Sequence, residues 1–153
     1  MDKAIFGAGC FWGVEETFSK IEGVTATRVG YSGGHSDHPT YKMVCTGSTE
    51  HAEVVEVVFD PSIVSYEKLL DVFWEIHDPT TLNRQGPDRG SQYRSLIMFH
   101  NEAQHLAAKK SKELQQQTLA RDIVTFIIPA AIFYPAEEYH QKYFRKNGGS
   151  CHL

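Results

Sequence analysis

The sequence predicts an α+β fold with a ferredoxin-like split βαβ core, in the order strand, helix, strand, strand, helix, strand (βαββαβ), with long loops and a flexible C-terminal tail. Three observations carry that expectation. Residues 53–59, Glu-Val-Val-Glu-Val-Val-Phe, are rich in β-branched residues and close on Asp60-Pro61, which makes them the clearest strand. Leu69, Leu70, Phe73 and Ile76 recur at helical spacing behind Ser65, a good N-cap. A short apolar run at 3–8 ends in Gly7-Ala8-Gly9, a turn that leads into a helical stretch.

The other elements follow in chain order. The first helix is expected from about Phe11 to Ile21, with Gly23 as its stop. Residues 24–31 read as a second strand. The stretch 32–51, rich in Gly, Ser, His and Thr, reads as a long loop with one helical turn near Tyr41 to Cys45; a loop of that length in a small domain is more often functional than idle. A polar loop at 78–91 precedes a strand at 93–99 that begins with Tyr93. Asn101 and Gln104 resemble a capping box that opens a helix towards Thr118. A short strand at 123–128 precedes Pro129. Residues 1–145 are expected to form one catalytic domain, and 146–153, Lys-Asn-Gly-Gly-Ser-Cys-His-Leu, a flexible tail without core-forming residues.

The chain has 153 residues, 41% hydrophobic and 22% charged, enough for one core and unlike a disordered sequence. A formal net charge of −4 argues against a standing electrostatic grip on nucleic acid. The basic cluster Lys109, Lys110 and Lys112 reads as the solvated face of a helix. No apolar run approaches the roughly 20 residues that cross a bilayer, and the first residues lack the features of a signal peptide. The expectation is a cytoplasmic monomer whose three cysteines (10, 45 and 151) rest as thiols. Neither a Cys-x-x-Cys nor a His-x-x-x-His pair appears among the three cysteines and eight histidines, so no metal is expected; a bound cofactor is not expected either.

Chemistry concentrates at Cys10. Backbone N–H groups and the helix dipole at the start of the first helix would stabilise a thiolate there, although position alone leaves a buried structural cysteine open. Phe11 and Trp12 beside it could line an apolar pocket for a small group such as a methyl, or could be ordinary core residues. Glu53 shares a strand face with Val55, Val57 and Phe59, and a carboxyl on an apolar face tends to stay protonated and able to donate a proton. A strand-end glutamate turned to solvent is the alternative. Tyr41 and Tyr93 could hold a polar oxygen with their hydroxyls or simply pack. Cys151 has no packing reason to stand in a Gly-Gly-Ser tail, from which it could reach Cys10; Cys45, beside Val44, is expected to be buried and inert.

Together these segments resemble class A peptide methionine sulfoxide reductases. The resemblance rests on Gly9-Cys10-Phe11-Trp12-Gly13, Gly30-Tyr31-Ser32-Gly33-Gly34, Pro39-Thr40-Tyr41, His51-Ala52-Glu53 and Phe59-Asp60-Pro61. It continues through Phe73-Trp74-Glu75, His77-Asp78-Pro79, Arg84-Gln85-Gly86-Pro87-Asp88 and Gln92-Tyr93-Arg94-Ser95, in order and register over nearly the whole chain. The resemblance implies reduction of the S epimer of methionine sulfoxide, free or in proteins. It makes Cys10 the nucleophile and Glu53 the acid, has Tyr41 and Tyr93 bind the sulfoxide oxygen, has Phe11 and Trp12 hold the methyl, and adds Asp88 to the pocket. Some members carry two recycling cysteines in the tail; here Cys151 alone would resolve a Cys10 sulfenic acid, and a thioredoxin-like reductant would reopen the disulfide. A cysteine hydrolase or a redox-sensing binding module are the rival readings of the same thiols.

Overall fold

The chain is described from a computed structural model over residues 1–141, apart from Ser36 and Ser48. The strands are β1 (Asp2–Ala8), β2 (Val24–Ser32), β3 (Ala52–Phe59), β4 (Arg84–Gln85), β5 (Asp88–Arg89), β6 (Ser95–Phe99), β7 (Phe126–Pro129) and β8 (Tyr134–Pro135). The helices are α1 (Phe11–Ser19), α2 (Tyr41–Cys45), α3 (Tyr66–Glu75) and α4 (Glu102–Gln116). Six strands form one sheet in the order β7-β6-β1-β3-β2-β8, and β4 pairs with β5 as a separate hairpin. Its middle, β6-β1-β3-β2, is antiparallel throughout and bears out the βαββαβ expectation.

Side-chain alternation sorts the sheet into two faces. Phe6, Val55, Val57 and Phe59 join Phe11, Val14 and Phe18 of α1 and Leu69, Leu70 and Phe73 of α3 in the larger buried cluster. Phe6 stacks on Phe18 and Phe73 with ring centroids 5.1 and 5.3 Å apart. Burying each such Phe or Leu fully is worth about 1.5–3 kcal/mol against leaving it in water. On the other face Ile5, Val54, Leu96 and Met98 form a smaller cluster with Ile128 and Phe133 packed against it. The strand that holds Glu53 is therefore covered on both sides.

Helix starts follow the caps read from sequence. The Ser65 hydroxyl accepts from the Lys68 N–H, and Asn101 Oδ1 accepts from the Gln104 N–H at 2.9 Å. The reciprocal half of the capping box is displaced by one residue, because Gln104 Oε1 accepts from the N–H of His100. α1 ends at Ser19, before the Ile21 expected, and the chain turns at Gly23 with φ +100°. Short pairings escaped the sequence reading: the β4–β5 hairpin inside the 78–91 loop, and β8 near the C-terminal end. Tyr93 does not begin a strand; it ends a 3₁₀ turn at Ser91–Tyr93, and β6 starts at Ser95. Among the described residues no helix is long and apolar enough to cross a membrane.

Candidate active site

Cys10 is the N-cap residue of α1, half-buried, with its carbonyl oxygen accepting from the Val14 N–H at 3.4 Å. Gly9, at φ +97°, makes the turn from β1 into this helix, a conformation that side chains rarely adopt. Cys10 therefore opens the helix at its positive end, although its side chain makes no capping hydrogen bond to the first-turn N–H groups. β3 supplies the carboxyl. Glu53 is 2% exposed, and its Oε1 accepts from the Phe11 N–H at 3.2 Å, one residue from the thiol. The parity expectation for Glu53 holds, since its face is the one that α1 covers.

An aromatic group closes around this pair. Phe11 is buried and lies 5.7 Å from the Tyr31 ring and 6.5 Å from the Tyr41 ring, with Trp12 6.4 Å from Tyr41 (centroid distances). The phenol of Tyr93 resists ionisation because it is buried, and after that because its anion would face the acidic groups Glu53, Cys45, Asp88 and Cys10. Burial likewise holds the Tyr41 phenol protonated, helped by a hydrogen bond with Cys45 and by the acidic groups Cys45 and Glu53 that its anion would face. Contacts place Glu53 against Phe11 beside Cys10 and Tyr41 against Phe11 and Trp12, and Tyr93 lies near enough to Glu53, Asp88 and Cys10 for them to bear on its ionisation. Asp88 stands on β5, paired with Gln85 of β4 in the short hairpin.

Cys45 departs from expectation: it is exposed, on α2, beside the Tyr41 hydroxyl. It lies one turn after Tyr41 on a five-residue helix whose only buried member is Val44, so the residue is exposed while its thiol meets the Tyr41 hydroxyl, where burial pushes the thiol pKa up. Cys151 lies outside the described residues, as do the other residues of the expected tail.

Three site neighbours carried no signal strong enough to be singled out in the sequence. His140 is 1% exposed and accepts the Trp12 indole N–H on Nδ1 at 2.9 Å, with its ring 4.4 Å from that of Tyr41. Glu137 accepts from the Tyr31 hydroxyl and from the Tyr41 N–H. Tyr31, fully buried, is the third. The string Glu137-Glu138-Tyr139-His140-Gln141 has no periodicity, and only its density of polar and aromatic groups marks it out. A cleft of about 760 Å³, lined by Trp74, His77, Asp78, Thr80 and Arg121 among others, lies apart from Cys10 and includes none of the site residues.

A family model described as peptide methionine sulfoxide reductase matches residues 2–153. The chain belongs to that family. A protein of Methanothermobacter thermautotrophicus named peptide methionine sulfoxide reductase MsrA is 64% identical over 148 residues, which cover 95% of this chain and 88% of the relative. The crystal structure of Mxr1 from Saccharomyces cerevisiae in reduced form matches with a TM-score of 0.93 and 40% identity over 99% of this chain and 88% of that one. Mxr1 has also been solved in complex with Trx2, and that structure matches with a TM-score of 0.67 and 28% identity over 93% of this chain and 84% of that one. The family inferred from the motifs is thus the family found.

Proposed function

We propose that this chain reduces the S epimer of methionine sulfoxide to methionine, free or in proteins, with Cys10 as nucleophile and Glu53 as acid. The observation that carries the reading is the buried Glu53 carboxyl touching the N–H of the residue that follows Cys10. Burial disfavours the carboxylate and keeps a proton available beside the thiol.

A sulfoxide sulfur is a weak electrophile until its oxygen is protonated or strongly hydrogen-bonded. Glu53 gives that oxygen a proton while the Tyr41 and Tyr93 hydroxyls donate to it, and the Cys10 thiolate attacks the sulfur. The attack joins the two sulfurs; the protonated oxygen then moves to the Cys10 sulfur as both the substrate S–O bond and the new S–S bond break, the latter's electron pair leaving with methionine, and Cys10 becomes a sulfenic acid. Phe11 and Trp12 hold the substrate methyl, and Asp88 adds polarity to the pocket rim. The Cys151 thiol then displaces water from the sulfenic acid, forming a disulfide. A dithiol partner of thioredoxin type takes up that disulfide by exchange; the complex of yeast Mxr1 with Trx2 supports a partner of this kind. The working compartment is the cytoplasm, where such a partner stays reduced and the resting cysteines are thiols.

The test is a single-turnover reaction without reductant, followed by peptide mapping. Wild type should release one methionine per chain and carry a Cys10–Cys151 disulfide. Cys151→Ser should release the same methionine and leave a Cys10 sulfenic acid that a 1,3-diketone traps. A Cys10–Cys45 disulfide with Cys151 free would overturn the assignment of Cys151.

A further inference from the structure

Tyr41 opens a short helix, with its ring packed near those of Phe11, Trp12 and His140. α2 has five residues, lies in the long 33–51 connection, and buries only Val44, while Lys42, Met43 and Cys45 are exposed. A helix this short is unfavourable by itself, because fixing its first turn costs more than its few hydrogen bonds return. The Thr40 hydroxyl caps it by accepting from the Met43 N–H at 3.2 Å, which orders the turn without tying it to the sheet.

The tie comes from the C-terminal segment. Both oxygens of Glu137 lie within hydrogen-bond reach of the Tyr41 N–H, at 3.3 Å (Oε1) and 3.2 Å (Oε2). Oε1 also accepts from the buried Tyr31 hydroxyl of β2 at 3.2 Å, and Oε2 from the Tyr139 hydroxyl at 3.4 Å. Burial alone would raise the Glu137 pKa, but hydrogen bonds from its own backbone, from Tyr41 and from Tyr31 hold it below the ordinary carboxylate range.

Glu137 is itself fixed from both sides, independently of α2. Upstream, β8 pairs with β2, and the Ala136 N–H donates to the Val29 carbonyl at 3.0 Å. β8 approaches so closely that a Cβ at Gly30 would lie 2.5 Å from the Tyr134 carbonyl oxygen. Downstream, the Gln141 amide donates to the Val29 carbonyl and accepts from the Val29 N–H, both at 2.9 Å.

We propose that Glu137 is a positioning residue for the reductase site: its carboxylate locks the start of α2 to β2 and so holds the Tyr41 hydroxyl where the sulfoxide oxygen is bound. Glu137 touches neither substrate nor sulfur and acts through Tyr41. The inference rests on the reading of Tyr41 as a donor to that oxygen.

A double-mutant cycle in single-turnover methionine release separates the possibilities. Glu137→Gln keeps the shape but turns one acceptor oxygen into a donor facing the Tyr41 N–H. It should slow release about tenfold with KM changed less than about twofold, while alkylation of Cys10 by iodoacetamide keeps its wild-type rate. In a Tyr41→Phe background, whose hydroxyl is already gone, the same substitution should cost less than about twofold. A full tenfold loss in that background, or none in wild type, overturns the proposal. If Tyr41→Phe alone is as fast as wild type, the assignment of Tyr41 fails first and the role of Glu137 falls with it. Should Glu137→Gln fold poorly, Glu137→Asp keeps the charge and withdraws it by one methylene; its loss should likewise vanish beside Tyr41→Phe, and persistence of that loss counts against the proposal.

Discussion

Replacing Glu53 with glutamine removes a proton donor while keeping almost everything else the side chain does. Glutamine fills the same buried volume, and its carbonyl can still accept the Phe11 N–H now bound at 3.2 Å. The stability cost should therefore be about 1 kcal/mol or less, a Tm change of roughly 2–4 °C. Catalysis should suffer far more. General acid catalysis contributes about 10²–10⁴-fold, or about 3–5 kcal/mol at 1.36 kcal/mol for each factor of ten. The amide N–H can still polarise the sulfoxide, at roughly half the strength of a charge-assisted hydrogen bond, so a loss of about 10²–10³-fold is expected. Glu53→Ala behaves differently: it leaves the Phe11 N–H buried without its acceptor, which costs about 1–3 kcal/mol before any cavity is counted. Methionine release in a quenched single turnover, paired with thermal melts, separates these effects. A Glu53→Gln enzyme within about threefold of wild type, equally stable, would refute the acid role.

Three further outcomes follow from the same geometry. Trp12→Ala should raise KM for the S sulfoxide about tenfold or more by opening the methyl pocket, with Cys10 alkylation unchanged; an unaltered KM removes Trp12 from the pocket. Gly9→Ala forces a Cβ onto a residue at φ +97°, which should cost about 1–3 kcal/mol and roughly 2–12 °C in Tm, whereas a Tm within about a degree of wild type would mean that the turn adapts. His77 is buried and bonded through both ring nitrogens, to the Phe73 carbonyl and the Ser95 hydroxyl, and burial pushes its pKa down to about 4. The unfolded chain therefore binds a proton that the folded chain refuses. Stability should be full above about pH 6.5 and fall towards pH 4, by about 2–3 kcal/mol at pH 4.5. Urea midpoints for wild type and His77→Gln across that range should converge as pH falls, and parallel curves would exclude His77 as the source.

Much of the fold was legible because patterning and chemistry agreed. The β-branched run of β3, the spacing of Leu69, Leu70 and Phe73, and the capping Ser65 and Asn101 each specified an element that formed as expected. The Gly9-Cys10 turn was readable for a physical reason, since a strand must end sharply for a thiol to sit at a helix start. What escaped depends on contacts distant in sequence. β8 is two residues long and exists because Gly30 leaves room for it, so no local alternation announces it. Tyr93 looked like the first residue of a strand, yet the turn beginning at Gly90, φ +132°, carries it into a 3₁₀ bend. Cys45 looked buried beside Val44, but on a one-turn helix adjacent residues face different ways. Glu137 and His140 were missed because their meaning comes from partners about a hundred residues earlier in the chain.

The most direct test of the central claim offers the separate S and R epimers of a methionine sulfoxide peptide, with dithiothreitol, to wild type and to Cys10→Ser. Wild type should consume the S epimer alone, and the variant neither epimer. Reduction of the R epimer, or turnover that survives Cys10→Ser, would contradict it.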